Sequence, residues 1–161
     1  EITQFTYFQQ MGGLDLAPIA VEITYGLERI AMFLQRVDNV YDLQWAPGVT
    51  YGDVRLRDEV EQSKYAFAQV DMPRDEFVAL HRELFDRHHD FARRLLASNL
   101  FLPAYEQCLK CSHIFNLLDS SGGIGVTERT AYILKVRELA VGVAQAYAGE
   151  QAARAAGDVE A

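Results

Sequence analysis

Hydrophobic residues follow one spacing near the start of the chain and another through the rest of it. EITQFTYFQQ (1–10) is rich in Thr, Phe and Tyr, and IAVEITY (19–25) is β-branched, so both are predicted as strands. Gly12-Gly13 and Pro18 punctuate the gap between them. Two antiparallel strands lying on an already existing sheet is the natural reading, because a lone strand pair is marginal in water. From Leu27 the period becomes helical, with Leu27, Ile30, Ala31 and Leu34 at i, i+3, i+4 and i+7, which predicts one buried face.

YDLQWAPGVTYGDV (41–54) reads as an irregular connection broken by Pro47-Gly48 and Gly52 and anchored by the packing of Trp45. A short helix is expected around Asp58 to Ala68. Phe77, Leu80, Leu84, Phe91 and Leu95 mark a long amphipathic helix from about Arg74 to Ser98. Pro103, suited to a first helical position, starts the next, where Ala104, Cys108, Cys111, Phe115 and Leu118 form a stripe that DSSGG (119–123) terminates. A last helix runs from about Thr127 to Tyr147, with Tyr132, Val136, Leu139, Val143 and Tyr147 on one side. The Ala-rich polar tail GEQAARAAGDVEA (149–161) is expected to fray. The architecture predicted is α+β: a strand pair, a crossing helix and a C-terminal helical bundle.

Composition narrows the class. Half of the 161 residues are hydrophobic, as in globular domains, and no apolar run approaches the roughly 20 residues of a membrane-spanning helix. A formal net charge of −8 argues against an overall electrostatic grip on nucleic acid, leaving only a local basic patch. Two cysteines, Cys108 and Cys111, suggest no disulfide framework and suit a reducing cytoplasm. The chain starts at Glu1, inside a strand-like run, and is read as the C-terminal portion of a longer protein.

Chemistry concentrates where the second strand meets the first helix. A glycine at a strand end lets a flat ligand or another backbone approach, and the helix after Gly26 points free N–H groups and its positive end at that place. Arg29 adds a planar guanidinium that can fork onto phosphate oxygens, so a nucleoside triphosphate is a sensible occupant. A turn glycine beside a solvated arginine paired with a carboxylate explains the same spacing, and short motifs of this kind often arise by chance.

A wider resemblance adds to this. EITYGLERIAMFLQ (22–35) resembles motif 3 of class II aminoacyl-tRNA synthetases, in which a strand, a glycine and a Glu-Arg pair at the helix start bind ATP. The segments 1–45, TYGDV (50–54), EVEQSKYAF (59–67), LPAYEQCLKCSHIFNLLDS (102–120) and VTERTAYILKVRELA (126–140) together resemble the bacterial glycyl-tRNA synthetase α subunit. Only about the last dozen residues fall outside the likeness. It implies the end of a class II antiparallel catalytic sheet, two strands plus the motif 3 helix, over 1–40. A connecting loop and short helix over 41–70, a helical domain over 71–148 and the tail complete the organisation. The implied reaction joins glycine and ATP into glycyl-adenylate and then passes glycine to tRNA(Gly).

By the same resemblance Arg29 holds the γ-phosphate of ATP and stabilises charge on the departing pyrophosphate, and Gly26 floors the adenine. Glu1, helped by Gln4, is the candidate for the ATP-associated Mg2+, which takes hard oxygen ligands. Its alternative is a strand-edge glutamate. Gln4 and Thr6 share one strand face that could line a glycine pocket, and Glu22, on the motif 3 strand with Thr24 on its face, could pair with the substrate ammonium. A pocket too small for a β-carbon would then select glycine by exclusion. For each of these polar residues a cross-strand or solvent contact is the rival reading. Motifs 1 and 2 of the class are not within these residues, so the fragment alone is expected to be inactive. Implied partners are a second α chain, a β subunit carrying most of the tRNA recognition, tRNA(Gly) and glycine, in a cytoplasmic heterotetramer with no membrane contact. The rival from another class is a noncatalytic synthetase-like module that binds an amino acid or adenylate, or that only joins subunits.

Other features carry less. Cys108-x-x-Cys111 near His113 has no second ligand pair, and both cysteines fall on the apolar stripe, which makes them buried thiols. His81, His88 and His89, in a helix dense with Arg and Asp, read as a solvated face. GIGVTERTAYIL (123–134) reads as a helix start, not a phosphate loop. There the family often has an arginine near position 121 and a serine at 125 that completes a capping box with Glu128, where this chain has Ser121 and Gly125.

Overall fold

The computed structural model describes residues 1–157. It is α+β and mostly helical, with two two-stranded sheets and five α-helices among the described residues. These form two compact units: residues 1–9 with 16–65, and residues 10–15 with those from Ala66 onward.

In the first unit β1 (Thr3–Met11) and β2 (Leu14–Tyr25) form the predicted strand pair. Only Gly12-Gly13 makes the turn, both at positive φ (58° and 79°), the conformation a two-residue hairpin loop demands. Pro18 does not punctuate the gap. It lies inside β2, tolerated because a two-stranded sheet is all edge and leaves unpaired N–H positions.

Helix α1 (Leu27–Gln35) has the expected amphipathic pattern but no buried residue: Leu27 is 71%, Phe33 80% and Leu34 72% exposed. The expected burial of its face is therefore corrected. A period names the face a helix can bury, while full burial needs a complete second layer; here Ile30 and Ala31 of that face are half-buried and Leu27 and Leu34 stay exposed. Leu43 is the buried hydrophobic residue of this unit.

The connection is more regular than its breakers suggested. A short 3-10 turn (Val40–Asp42) leads into β3 (Gln44–Ala46), which pairs antiparallel with β4 (Val49–Thr50) across Pro47-Gly48, where Gly48 supplies φ 77°. Helix α2 (Tyr51–Ala66) then starts seven positions before the predicted Asp58. Thr50 and Asp53 cap it reciprocally: Asp53 Oδ2 accepts from the Thr50 N–H and hydroxyl, both at 2.8 Å, and Thr50 Oγ1 accepts from the Asp53 N–H at 3.1 Å. Those hydrogen bonds hold the Asp53 carboxyl below its ordinary value. Gly52 belongs to the helix, where a Cβ would come within 3.0 Å of the Tyr41 carbonyl oxygen. Trp45 is not a packed anchor; it is exposed and tilts against Tyr51 at 5.8 Å between ring centroids.

The second unit is built from α3 (Arg74–Ala97), α4 (Phe101–Ser120) and α5 (Val126–Gly157). Helix α5 carries on past Tyr147 through part of the segment expected to fray; residues 158–161 lie outside the described residues. The hairpin tip belongs to this unit: a Cβ on Gly12 would sit 2.5 Å from Ala144 Cβ, so only glycine permits the approach to α5.

Phe85 and Ala92 of α3, Cys108, Cys111, Ile114 and Leu118 of α4 and Leu139 of α5 form the core. Of the predicted α4 stripe, Ala104, both cysteines and Leu118 are buried and Phe115 is half-buried. Desolvation pushes the Cys108 thiol up and the Cys111 thiol up to about 12. The α3 face differs, since Leu80 and Phe91 are exposed while Phe77, His81, Phe85 and Ala92 are buried. His81 reaches the Phe77 carbonyl oxygen through Nδ1 at 2.7 Å and packs on the Phe77 ring, which makes its burial affordable. Nor do His88 and His89 form a solvated face. His88 Nδ1 hydrogen-bonds Gln107 Oε1 at 2.8 Å, and His89 stacks on Phe85 with its side chain 12% exposed.

Arginines of α3 fasten the α4–α5 turn. Arg74 donates to the Ser121 carbonyl oxygen, and Arg82 donates to that of Gly123 (3.0 Å) while pairing with Glu128 (2.9 Å). Gly125 stands at the α5 start, and its N–H donates to Glu128 Oε2 at 3.2 Å. This is half of a capping box; the hydroxyl half is missing.

Candidate active site

The strand pair ends where α1 begins, and backbone hydrogen bonds fix the junction. The Gly26 N–H donates to the Ile2 carbonyl oxygen at 3.0 Å, and the Gly26 carbonyl accepts from the Ile30 N–H at 3.0 Å, closing the first helical turn. No side chain caps this end of α1, which leaves its first N–H groups without a capping partner. Arg29 lies in that first turn, and its Nη1 donates to the Glu1 carbonyl oxygen at 2.8 Å. The guanidinium is thereby tied across the ends of β1 and β2.

A cleft of about 220 Å³ opens at this junction, lined by Glu1, Ile2, Thr3, Gln4, Thr24, Tyr25, Gly26 and Arg29. It brings together five of the seven candidate residues: Glu1, Gln4, Thr24, Gly26 and Arg29. Thr6 and Glu22 are not part of the lining. Glu22 is joined to it indirectly, because the Thr24 hydroxyl donates to Glu22 Oε1. Thr3 and Tyr25 line the cleft without having been anticipated, although Tyr25, immediately before Gly26, was readable as a neighbour of the strand end. A larger hollow of about 490 Å³ near the end of α1 is lined by Met32, Phe33, Leu34, Arg36, Val37 and Asp38 and contains none of the candidates.

A Cβ built on Gly26 would meet the Arg29 stem at 3.5–3.7 Å, an ordinary contact, and Gly26 has φ −80°. The glycine is thus not forced by its own backbone. It leaves open the space in front of the helix end, beside the arginine.

The donor set has two chemical sides. Arg29 and the helix end supply positive charge, suited to phosphate oxygens. Glu1, Gln4, Thr3 and Thr24 supply oxygens, suited to a hard cation or an ammonium. Among the described residues no group of three or more His, Cys, Asp or Glu side chains is placed to hold a metal ion, so a cation here would need ligand oxygens as well.

The model of one protein family, described as the glycyl-tRNA synthetase alpha subunit, matches residues 1–152, which include every cleft residue, all of α3 and α4 and most of α5. The chain belongs to that family. Glycyl-tRNA synthetase is an aminoacyl-tRNA synthetase, a ligase of translation whose substrates include glycine and tRNA, and its alpha subunit works as part of a complex. Because the match passes through α3, α4 and most of α5, the helical unit is part of the synthetase subunit and not a separate addition. No helix among the described residues is long and apolar enough to cross a membrane.

Proposed function

We propose that the cleft is the motif 3 side of a class II active site that makes glycyl-adenylate. The observation that carries this is the meeting of Arg29, Gly26, Glu1, Gln4 and Thr24 at one uncapped helix start, inside a region matched by the synthetase family. In the reaction a glycine carboxylate oxygen attacks the α-phosphorus of ATP. The bond to the β-phosphate oxygen breaks, and pyrophosphate leaves with the electron pair. The glycyl group then moves to a hydroxyl of the terminal adenosine of tRNA(Gly), releasing AMP.

Arg29 binds the γ-phosphate and stabilises the charge that builds on the departing pyrophosphate, an electrostatic role in which no proton moves. Gly26 leaves room for the adenine ring. Glu22 takes the glycine ammonium, with Thr24 fixing its carboxylate, and Gln4 in the cleft, with Thr6 one step further along the same strand face, bounds a pocket too small for a β-carbon. Glu1, with Gln4, would hold Mg2+, which supplies neutralising charge to the triphosphate; one carboxylate fits an ion that takes most of its other oxygens from phosphate and water. The working assembly contains a second α chain and a β subunit that grips most of the tRNA, in keeping with the −8 charge here, and it acts in the cytoplasm. Residues 1–161 alone, without class II motifs 1 and 2, do not activate glycine.

ATP–pyrophosphate exchange across a panel of amino acids, using the α subunit assembled with β, tests this reading. Exchange should depend on glycine and fall on the order of 100-fold or more in Arg29→Ala. Exchange unchanged in Arg29→Ala, or driven equally by alanine, would remove the assignment.

A further inference from the structure

Helix α1 has no fully buried residue, yet it is fastened at both ends to the segment that follows it. At its start the Tyr51 hydroxyl donates to Glu28 Oε1 at 3.1 Å. At its end Gln35 grips the backbone of Gln44 twice, with Oε1 accepting from the Gln44 N–H at 2.7 Å and Nε2 donating to the Gln44 carbonyl oxygen at 3.2 Å. Between these anchors lies the β3–β4 hairpin, itself tied to α2 by the Tyr51 N–H on the Leu43 carbonyl oxygen at 2.7 Å. Tyr51 is the first residue of α2 and lies between the two partners of the Thr50–Asp53 cap. The cap, the hairpin and the first turn of α1 therefore form one hydrogen-bonded chain.

We infer that Tyr51 is a positioning residue for ATP, acting through Glu28 to set the first turn of α1 and with it Arg29. The inference rests on the proposal that Arg29 binds the ATP phosphates. Glu28 and Arg29 are neighbours in sequence and point to different sides of the helix. Holding the Glu28 carboxylate on the Tyr51 side therefore fixes the rotation of the turn that aims Arg29, and it keeps a negative charge away from the polyphosphate. Gln35 performs the matching task one helix length away, so the pair prevents α1 from rolling or lifting where packing does not hold it. Partial desolvation and the Glu28 carboxylate both favour the protonated phenol, which keeps Tyr51 a donor.

The experiment is glycine-dependent ATP–pyrophosphate exchange by the α subunit assembled with β, with KM measured separately for ATP and for glycine. Tyr51→Phe should raise KM for ATP about 3- to 10-fold and leave KM for glycine unchanged, as expected for one hydrogen bond acting on phosphate binding. Glu28→Ala removes the same bond from the other side and should give the same shift. The double variant should be no worse than either single one. Glu28→Gln, which keeps an acceptor oxygen, should retain near-normal KM for ATP. Unchanged KM for ATP in Tyr51→Phe, while Arg29→Ala abolishes exchange, would overturn the positioning role and leave the ATP reading standing. Equal rises in both KM values would reduce Tyr51 to general support of the fold. Full exchange by Arg29→Ala would overturn the ATP reading and this inference with it.

Discussion

Gly125→Ser should stabilise the helical unit, and the reason lies in a cap that is half built. The Glu128 carboxylate already accepts from the Gly125 N–H, and the Arg129 N–H already donates to the Gly125 carbonyl oxygen at 2.8 Å. What is absent is a hydroxyl at 125 to accept from the Glu128 backbone N–H. A Cβ built on Gly125 meets nothing within 4 Å, so serine enters without displacing any group. Relative to glycine the net gain is about a few tenths of a kcal/mol, the cap and the smaller conformational freedom of the unfolded chain taken together. Gly125→Ala isolates the cap, since alanine keeps the unfolded-state term and lacks the hydroxyl. Serine should exceed alanine by about 1 kcal/mol. Urea unfolding of the α subunit, followed by helix circular dichroism, measures both differences, with the m-value required to stay constant. Serine equal to or less stable than alanine would refute the placement of residue 125 as the N-cap. The Glu128 half of the box is pH-dependent. The Gly125 N–H, and then Arg82, hold its carboxyl below the ordinary value, so its stabilisation is present above the unfolded carboxylate value of 4.5 and disappears as pH falls through the lowered folded value.

Cys108 and Cys111 should resist alkylation in the folded subunit at pH 8 and react at once after denaturation, because both thiols lie in the core and the Cys111 pKa is pushed up to about 12. Fast labelling of either in the native protein would place it outside the core. His89 has its pKa lowered, by desolvation first and then by Lys135 and Arg93, with Asp90 and Asp86 opposing, so the folded unit favours neutral imidazole. The unfolded chain binds the proton more readily, so acidification below about 6.5 costs stability until the lowered folded value is passed. His89→Gln should flatten that part of the stability–pH profile, and an unchanged slope would exclude His89 as its source.

What the sequence reveals about this molecule follows from what each pattern can encode. The boundaries of α3 and α4 were readable within two residues, because long amphipathic runs punctuated by Pro103, which lies in the first turn of α4, and by the Gly122-Gly123 pair leave few alternatives. The buried face of α3 was not. His81 and Ala92 count for little on a hydrophobicity scale, yet one satisfies its ring nitrogen within its own helix and the other is fully buried in the core. Gly52 concealed the start of α2, since glycine is read as a breaker when the reciprocal Thr50–Asp53 cap beside it goes unnoticed.

The cleft follows the same logic at finer scale. Alternation along a strand assigns a residue to a face but says nothing of its height along the strand. Gln4 and Thr6 share parity, as do Glu22 and Thr24, so the sequence grouped each pair. At about 3.3 Å of rise per residue, a step of two moves a side chain roughly 7 Å along the strand. That step separates Gln4 and Thr24, at the helix end, from Thr6 and Glu22 beyond the lining. Of the two outlying residues, Glu22 is linked back by the hydroxyl of Thr24, which reaches across that interval to its carboxylate. On the proposed reading a glycine ammonium drawn to Glu22 would meet Thr24 on the same path, and replacing either residue would remove the hydrogen bond that joins them.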